Sequence, residues 1–146
     1  MRVPVLPFLL IWLLCACTHT TPSARVDRLS LSIPPRFELK EESIKDSAGD
    51  MVSSRWRSPR GEVLEVLAWP TGAVVDRGPM IRASEEPLEV AGQNTKLIRT
   101  KTFLGHEEDS LVVHLRQGDA VYIVHATGMT AGDFKDIVRS VKLEGK

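Results

Sequence analysis

Apolar and polar residues alternate with a period of two over several short stretches of this 146-residue chain. Leu29 to Ile33 alternates in this way until Pro34-Pro35 ends the pattern, which is typical of a half-buried strand. Phe37 and Leu39 predict a second short extended piece. Past the N-terminal region, the pattern therefore predicts mostly strands.

A hairpin is predicted next. Met51 to Arg57 and Val63 to Trp69 are its arms, and Ser58-Pro59-Arg60-Gly61 supplies the turn because proline and glycine fit turn positions. Pro70 to Glu86 contains glycines, prolines and scattered charges without a clean period. We interpret that stretch as a long connection.

The second half of the chain begins with weaker strand signals. Pro87 to Ala91 predicts a short strand, Gly92-Gln93-Asn94 a turn, and Thr95 to Phe103 a longer strand. Gly105 to Asp109 then predicts a turn.

The clearest hairpin follows. Ser110 to Arg116 and Ala120 to Thr127 are rich in β-branched and aromatic residues, and Gln117-Gly118-Asp119 lies between them. A three-residue loop predicts that one face carries Leu111, Val113 and Leu115 beside Val121, Ile123 and His125.

The period changes near the end of the chain. Thr130 is a candidate N-cap with Asp133 three residues on, and Phe134, Ile137, Val138 and Val141 recur at helical spacing. An amphipathic helix over about 131–140 and a last strand within Val141 to Leu143 are predicted. Sequential hairpins with one late helix predict the α+β class, as an antiparallel α+β sandwich.

The first residues form a different kind of segment. Arg2 precedes an apolar run from Val3 to Leu14, which is shorter than the roughly 20 residues of a spanning helix. It therefore favours a secretory signal. The residues that follow, Leu14-Cys15-Ala16-Cys17, resemble the processing site of bacterial lipoproteins, with a small residue before the modified cysteine.

This resemblance implies that Cys17 carries the lipid. It divides the chain into a signal peptide (1–16), a lipidated tether (17–27) and a globular domain (28–146). Thr18, rather than an aspartate, follows the anchor, which in Gram-negative members implies an outer-membrane protein facing the periplasm. An ordinary secretory signal or an uncleaved anchor stays open as an alternative.

Composition narrows the chemistry further. The chain has 19 basic and 19 acidic residues, and Arg2 is the one charged residue before Cys17, so the mature chain would carry one net negative charge. A nucleic-acid partner, which would require a basic excess, is therefore not predicted. The two cysteines are Cys15 and Cys17, so the mature chain would have no thiol for a disulfide, a nucleophile or a cysteine-bound metal.

A second resemblance rests on three segments: "LSIPPRFEL", "DSLVVHLRQGDAVYIVHATG" and "DFKDIVRSVKL". They are similar to the single-domain PsbP-like group of small exported proteins. The resemblance implies a strongly bent antiparallel sheet with a closing helix. It also implies that the protein binds a partner rather than catalysing a reaction, as an accessory of a membrane complex or an immunity factor against a delivered toxin.

Candidate chemical groups are few. In the predicted register His114 and His125 lie on opposite faces of their hairpin, so they could share a metal only after a one-residue shift. His106 stands beside Glu107, Glu108 and Asp109, but consecutive side chains splay apart, which favours a solvated turn. No metal, cofactor or catalytic residue is predicted.

Aromatic and basic residues supply the candidate binding surface. Arg55, Arg57 and Arg60 surround Trp56 and form the one local basic patch, which could contact an acidic partner or anionic headgroups. A hairpin tip favours the alternative interpretation, in which these residues form a solvated turn. Trp56 and Trp69 are otherwise expected in the core. The sequence therefore predicts a non-catalytic lipoprotein that binds another envelope protein. A carrier or sensor of a small hydrophobic ligand or metal is the alternative.

Overall fold

A computed structural model describes residues 22–43, 51–69, 80–102 and 110–145 of the chain. Within these ranges the backbone forms ten strands and one helix. In chain order they are β1 (Ser23–Val26), β2 (Leu29–Ser32), β3 (Glu38–Ser43), β4 (Val52–Arg57), β5 (Val63–Trp69), β6 (Met80–Val90), β7 (Gln93–Thr102), β8 (Ser110–Gln117), β9 (Ala120–Thr127), α1 (Ala131–Arg139) and β10 (Lys142–Leu143).

The strands form two antiparallel sheets. The smaller sheet has the order β1-β2-β10, and the larger has the order β3-β4-β5-β9-β8-β7-β6. One face of the large sheet, here called the inner face, packs against the small sheet and α1. The opposite face is called the outer face. The core therefore lies between two layers.

The predicted α+β class, with its PsbP-like arrangement of one bent antiparallel sheet, is wrong. The described residues are predominantly β, in two antiparallel sheets, and α1 contributes nine residues. The prediction failed because two strands were assigned to other structure. Residues 80–86 were taken as connection and belong to β6, and Ser23–Val26 were taken as tether and form β1.

Strand β1 contributes to the core in spite of its small side chains. Ala24 and Val26 are both 2% exposed, and each residue of β1 pairs with one of β2. Ile33 N also donates to Pro22 O at 2.7 Å, which continues the pairing beyond Ser23. The part of the predicted tether that begins at Ser23 therefore belongs to the folded domain.

Alternation along the central strands produces the core, because every second residue points to the inner face. Those residues are apolar on β5, β8 and β9, and the small sheet and α1 cover them. The main buried members are Leu29, Leu31, Leu64, Val66, Ala68, Leu111, Val113, Leu115, Tyr122, Val124, Ala126, Phe134, Ile137 and Val138.

The β8–β9 hairpin has a register that differs by one residue from the prediction. Gln117 pairs with Ala120, so the turn holds two residues, Gly118 and Asp119. Gly118 has φ +59°, and glycine at the first position of a two-residue turn is a common hairpin signal. Because a one-residue slip moves side chains to the other face, the predicted set of facing residues is wrong. Leu111, Val113 and Leu115 face Ala126, Val124 and Tyr122.

The C-terminal helix is confirmed. Thr130 caps α1, and its Oγ1 accepts a hydrogen bond from Asp133 N at 3.2 Å. Phe134, Ile137 and Val138 are buried against the core as the periodicity predicts. The final strand, β10, is also confirmed and pairs with β2.

Both edge strands of the large sheet have features that oppose pairing with another chain. β3 has a register irregularity between Leu39 and Glu41, and β6 has one between Arg82 and Ser84. β6 also contains Pro87 and the carboxylates of Glu85, Glu86 and Glu89. Bulges, charges and proline all weaken an edge as a template for strand addition.

Candidate functional site

The four residues of the predicted binding patch lie at one end of the β4–β5 hairpin, but on different faces. Arg55 and Arg57 pair with Glu65 and Val63 on the outer face, whereas Trp56 is on the inner face. Arg60 belongs to the connecting turn and is exposed. The structure therefore separates the tryptophan from the arginines that surround it in sequence.

Arg55 is part of a row of ionisable side chains across four strands of the outer face. Its Nη1 lies 3.5 Å from Glu41 Oε2, and its Nη2 lies 3.3 Å from Glu65 Oε1. Glu65 Oε2 in turn lies 3.6 Å from His125 Nδ1. Arg55 is thus engaged within the sheet, which reduces the charge it can offer to a partner.

The turn between β4 and β5 is fixed by a buried carboxylate. Glu62, which is 6% exposed, accepts hydrogen bonds from Arg36 Nε at 2.9 Å, from Arg36 Nη2 at 3.2 Å and from Ser58 Oγ at 2.7 Å. Ser58 Oγ also accepts from Arg60 N at 3.2 Å. Gly61 has φ +84°, a conformation that glycine adopts without strain. The turn therefore holds its backbone rigidly.

Arg36 and Glu62 affect each other's protonation. The hydrogen bond from Arg36 holds the pKa of Glu62 below its ordinary value, although burial acts in the opposite direction. The pKa of Arg36 is correspondingly raised, chiefly by the hydrogen bond to Glu62. The guanidinium also lies 5.0 Å from the centre of the Phe37 ring. This pair joins the loop after β2 to the β4–β5 turn.

Arg57 and Arg60 remain as the exposed charges of this turn. Neither arginine forms a direct ion pair with another described residue, although the charge of Arg60 helps to lower the pKa of Glu62. Glu38, the register partner of Arg57, pairs with Lys40 at 2.6 Å. Together with the turn Ser58–Glu62 that carries them, we call Arg57 and Arg60 the arginine tip.

An exposed apolar residue lies next to the arginine tip. Leu39 is 45% exposed. Among the described residues it is the one large hydrophobic residue that is exposed to solvent. It pairs with Trp56 on the inner face, and Trp56 is partly buried against the core, with its Nε1 donating to Ser54 Oγ at 3.2 Å. The sequence predicts Leu39 in an extended segment but not its exposure, because one leucine in a charged strand carries no signal of exposure.

The two histidines of the β8–β9 hairpin lie on the same face, contrary to the prediction. His114 pairs with Ile123 and His125 pairs with Val112, so the two histidines are diagonal neighbours on the outer face. The cause is the one-residue difference in register. Within the described ranges, no three His, Cys, Asp or Glu side chains come together as a metal site would require.

Tyr122 makes a partly buried polar contact between the core and the β1–β2 turn. Its ring is fully buried, and its hydroxyl donates to Asp27 Oδ2 at 2.7 Å across 95 residues of sequence. Asp27 lies in the β1–β2 turn with φ +55°. Burial and the hydrogen bond to Asp27 raise the pKa of Tyr122 to about 12. The contact joins the small sheet to the large one at the end opposite the arginine tip.

The titration of Tyr122 provides a direct test of this packing. The chain has one tyrosine, so tyrosinate absorbance reports this residue alone. We expect an apparent pKa of about 12 in the folded protein and of about 10 in denaturant. Because the folded pKa is the higher one, Tyr122 stabilises the fold fully below pH 10, and that stabilisation is lost as the pH rises towards 12. Identical titrations in the two states would contradict the contact.

Other features of the described residues offer little for chemistry. A shallow cleft of about 250 Å³ lies between α1 and the loop after β2, with Arg36, Asp136 and Ser140 among its walls. Ligand pockets usually measure about 300–1,000 Å³. Trp69 is buried on the outer face, and Ser110 is buried and hydrogen-bonded to Thr100. No helix of the described part is long and apolar enough to cross a membrane.

Several predicted features lie outside the described residues. They are the signal peptide, Cys17, the connection over 70–79 and the polar turn that contains His106, Glu107, Glu108 and Asp109. Comparisons with protein-family models and with curated proteins found no match to this chain.

Proposed function

We propose that the protein is a lipoprotein anchored through Cys17 to the outer membrane, and that its domain faces the periplasm. The domain acts without catalysis by binding another envelope protein, as an accessory of that protein or as its inhibitor. The lipid holds the protein where this partner is found, and the folded surface supplies the specificity.

The observation that carries the proposal is the motif Leu14-Cys15-Ala16-Cys17, which is followed closely by a folded strand. Five residues separate Cys17 from Ser23, the first residue of β1. A lipoprotein needs a modified cysteine joined to a domain that stands outside the bilayer, and this chain has that order. Two or three acyl chains on one cysteine bury enough methylene groups for essentially permanent anchoring.

Two features of the fold support binding through the surface rather than storage of a ligand. The inner face of the large sheet is filled by side chains of the small sheet and α1, among them Leu29, Leu31 and Phe134. A hydrophobic ligand carried in the concavity of the sheet would have to displace them, so the carrier alternative gains no support. The bulges and charges of β3 and β6 favour a partner that contacts side chains rather than one that adds a strand.

The anchor is tested by exchanging the two cysteines separately. We expect Cys17→Ala to abolish incorporation of labelled fatty acid and to move the protein from the membrane fraction to the soluble periplasmic fraction. Cys15→Ala is the matched control, because Cys15 lies two positions away and would be removed with the signal peptide; it should leave labelling and location unchanged. Labelling that survives Cys17→Ala would contradict the proposal.

The binding activity is tested by capture from the native envelope. Lipidated full-length protein with a C-terminal affinity tag is crosslinked in cells, purified and examined by mass spectrometry. One envelope protein in stoichiometric amount is the expected result. Recovery of a lipid or metal in stoichiometric amount, with no protein, would favour the carrier and contradict this part of the proposal.

A further inference from the structure

We propose that the arginine tip, with Leu39 and Trp56 beside it, rests on the anionic headgroups of the membrane that holds Cys17. This inference rests on the proposed anchoring and adds an orientation to it. One end of the domain faces the lipid, and the opposite end, with the turns Asp27–Arg28, Ala91–Gly92 and Gly118–Asp119, faces away.

The length of the connection to Cys17 limits the position of the domain. A chain extends at most about 3.3–3.6 Å per residue, so the six steps from Cys17 to Ser23 span no more than about 22 Å. The lipid fixes Cys17 at the membrane surface. The start of β1 therefore stays within about 22 Å of the headgroups.

Hydrogen bonds place the arginine tip at the same end of the domain as the start of β1. Pro22 O accepts from Ile33 N at 2.7 Å, and Pro34 O accepts from Phe37 N at 3.0 Å. Between these residues lies Arg36, whose guanidinium reaches across to Glu62 in the β4–β5 turn. The few residues of this loop span about 10 Å, so the tip lies close to the point where the tether enters the domain.

The strand directions place the three turns at the other end. β9 runs for eight residues from the Gly118–Asp119 turn to Thr127, next to the arginine tip. At about 3.3 Å per residue, the two ends are separated by about 25 Å. The contact between Tyr122 and Asp27 fixes the β1–β2 turn to the far end of both sheets.

At the end of the domain that carries the arginine tip, some charged residues form ion pairs and others do not. The acidic residues of α1 lie near arginines, because Asp133 is 3.9 Å from Arg36 and Asp136 is 3.6 Å from Arg139. Arg57 forms no ion pair among the described residues, and Arg60 acts on Glu62 through its charge but has no direct ion pair and remains exposed. An arginine near an anionic surface raises membrane affinity about fivefold, and its attraction extends over a Debye length of about 10 Å.

Apolar exposure at the same end of the hairpin, but on the other face of the sheet, completes the surface. Leu39, 45% exposed, and the partly buried Trp56 form a cross-strand pair on the inner face, whereas the neighbouring Arg57 points to the outer face. Tryptophan is favoured at the boundary between lipid and water, and apolar side chains beside arginines are typical of surfaces that lie in the headgroup region. An acidic protein would match the arginines equally well in charge, but the short connection to Cys17 brings the lipid surface to them.

The orientation is tested with single fluorescent labels. Cys17 would be blocked by its lipid, so Pro59→Cys in the arginine tip and Asp119→Cys in the far turn each introduce one free thiol. Lipidated full-length protein is placed in vesicles of phosphatidylethanolamine and phosphatidylglycerol with an acceptor dye on the headgroups. We expect strong energy transfer from the label at position 59 and weak transfer from the label at position 119. Equal transfer from both would overturn the orientation.

The headgroup contact is tested by charge reversal. In the Pro59→Cys protein, Arg57→Glu with Arg60→Glu should lower the transfer to the level seen when phosphatidylcholine replaces phosphatidylglycerol. Arg60→Glu alone should lower it in part. Arg116→Glu, an exposed arginine at the far end, is the matched control and should leave it unchanged. Unchanged melting temperatures would show that the variants fold.

The other outcomes are distinguishable. If energy transfer from the label at position 59 stayed unchanged in the Arg57→Glu, Arg60→Glu variant, the headgroup contact would be overturned. If the same variant lost a captured envelope protein, the arginines would be assigned to that partner. Failure of the anchoring would appear earlier, as an intact mass without acyl chains on Cys17. Because only protein of lipidated mass enters the vesicle experiment, the two proposals fail separately.

Discussion

Replacing Ile137 with alanine is expected to lower the free energy of unfolding by about 2–5 kcal/mol. Ile137 is 4% exposed and lies on the face of α1 that packs onto the core, beside Phe134 and Val138. The substitution removes apolar contacts and leaves a cavity in a region that the two sheets cannot easily close. Small domains have a total stability of about 5–15 kcal/mol, so the loss is a large share of it.

Asp136→Ala is the matched control for this prediction. It changes the neighbouring residue of the same helix, where the side chain is exposed and forms a pair with Arg139 of little energetic value. Denaturant unfolding should show a lower midpoint for Ile137→Ala and almost no change for Asp136→Ala. If Ile137→Ala unfolded like the parent protein, α1 would not close the core.

The strands with clear alternation could be predicted from sequence because their pattern reflects burial directly. Apolar residues lie on the inner face in each of β2, β4, β5, β8 and β9. The helix α1 is indicated by a change of the apolar period and by an N-cap residue. β1 could not be recognised, because Ser23–Val26 contains just two residues for the core, of which Ala24 is small. These four residues form a strand because they pair with β2, and their own sequence does not show whether such a partner is present.

Strand β6 and the β8–β9 register show two other limits. β6 contains charges and Pro87, which argue against a strand; it forms because it is an edge held by β7, a contact that no local pattern reveals. In the β8–β9 hairpin both arms were recognised. The loop length was not, because Gln117 can begin the turn or end the strand, and one residue decides which face every side chain occupies.

The candidate surface was predicted in part. Arg57 and Arg60 were recognised as an exposed basic cluster, but alternation along β4 places Trp56 on the other face and Arg55 in a row of ionisable side chains. The residue that fixes the turn, Arg36, lies 26 positions before its partner Glu62. Pairing at that separation is set by the arrangement of the sheets, so the sequence gives no sign of it.

Arg36→Ala is expected to lower the free energy of unfolding by about 2–4 kcal/mol, because it leaves the buried carboxylate of Glu62 with Ser58 as its remaining side-chain partner. The loss should be somewhat smaller than for a fully enclosed pair, since about a third of the Arg36 side chain is exposed. Arg25→Ala is the control. It breaks the exposed pair between Arg25 and Glu144 and should cost less than about 1 kcal/mol.

The pH dependence separates the ion pair from simple packing. In the parent protein the pKa of Glu62 is lowered, so its stabilising effect is present above its ordinary value of 4.5 and is lost as the pH falls below that value. In Arg36→Ala the largest influence that lowers the pKa of Glu62 is lost, while burial still raises that pKa and Ser58 and Arg60 still lower it. The pKa of Glu62 should therefore be higher than in the parent, and protonation of Glu62 should cost the variant less stability than it costs the parent. The difference in the free energy of unfolding between Arg36→Ala and the parent should therefore shrink as the pH falls from 7 to 4.

Glu62→Gln, which has no charge at position 62, is the control. In this background Arg36→Ala should lower the free energy of unfolding by less than in the parent, and the difference should not shrink with pH. If the stability lost in Arg36→Ala, relative to the parent, stayed constant with pH, Arg36 would stabilise the fold through its contact with Phe37 and not through Glu62.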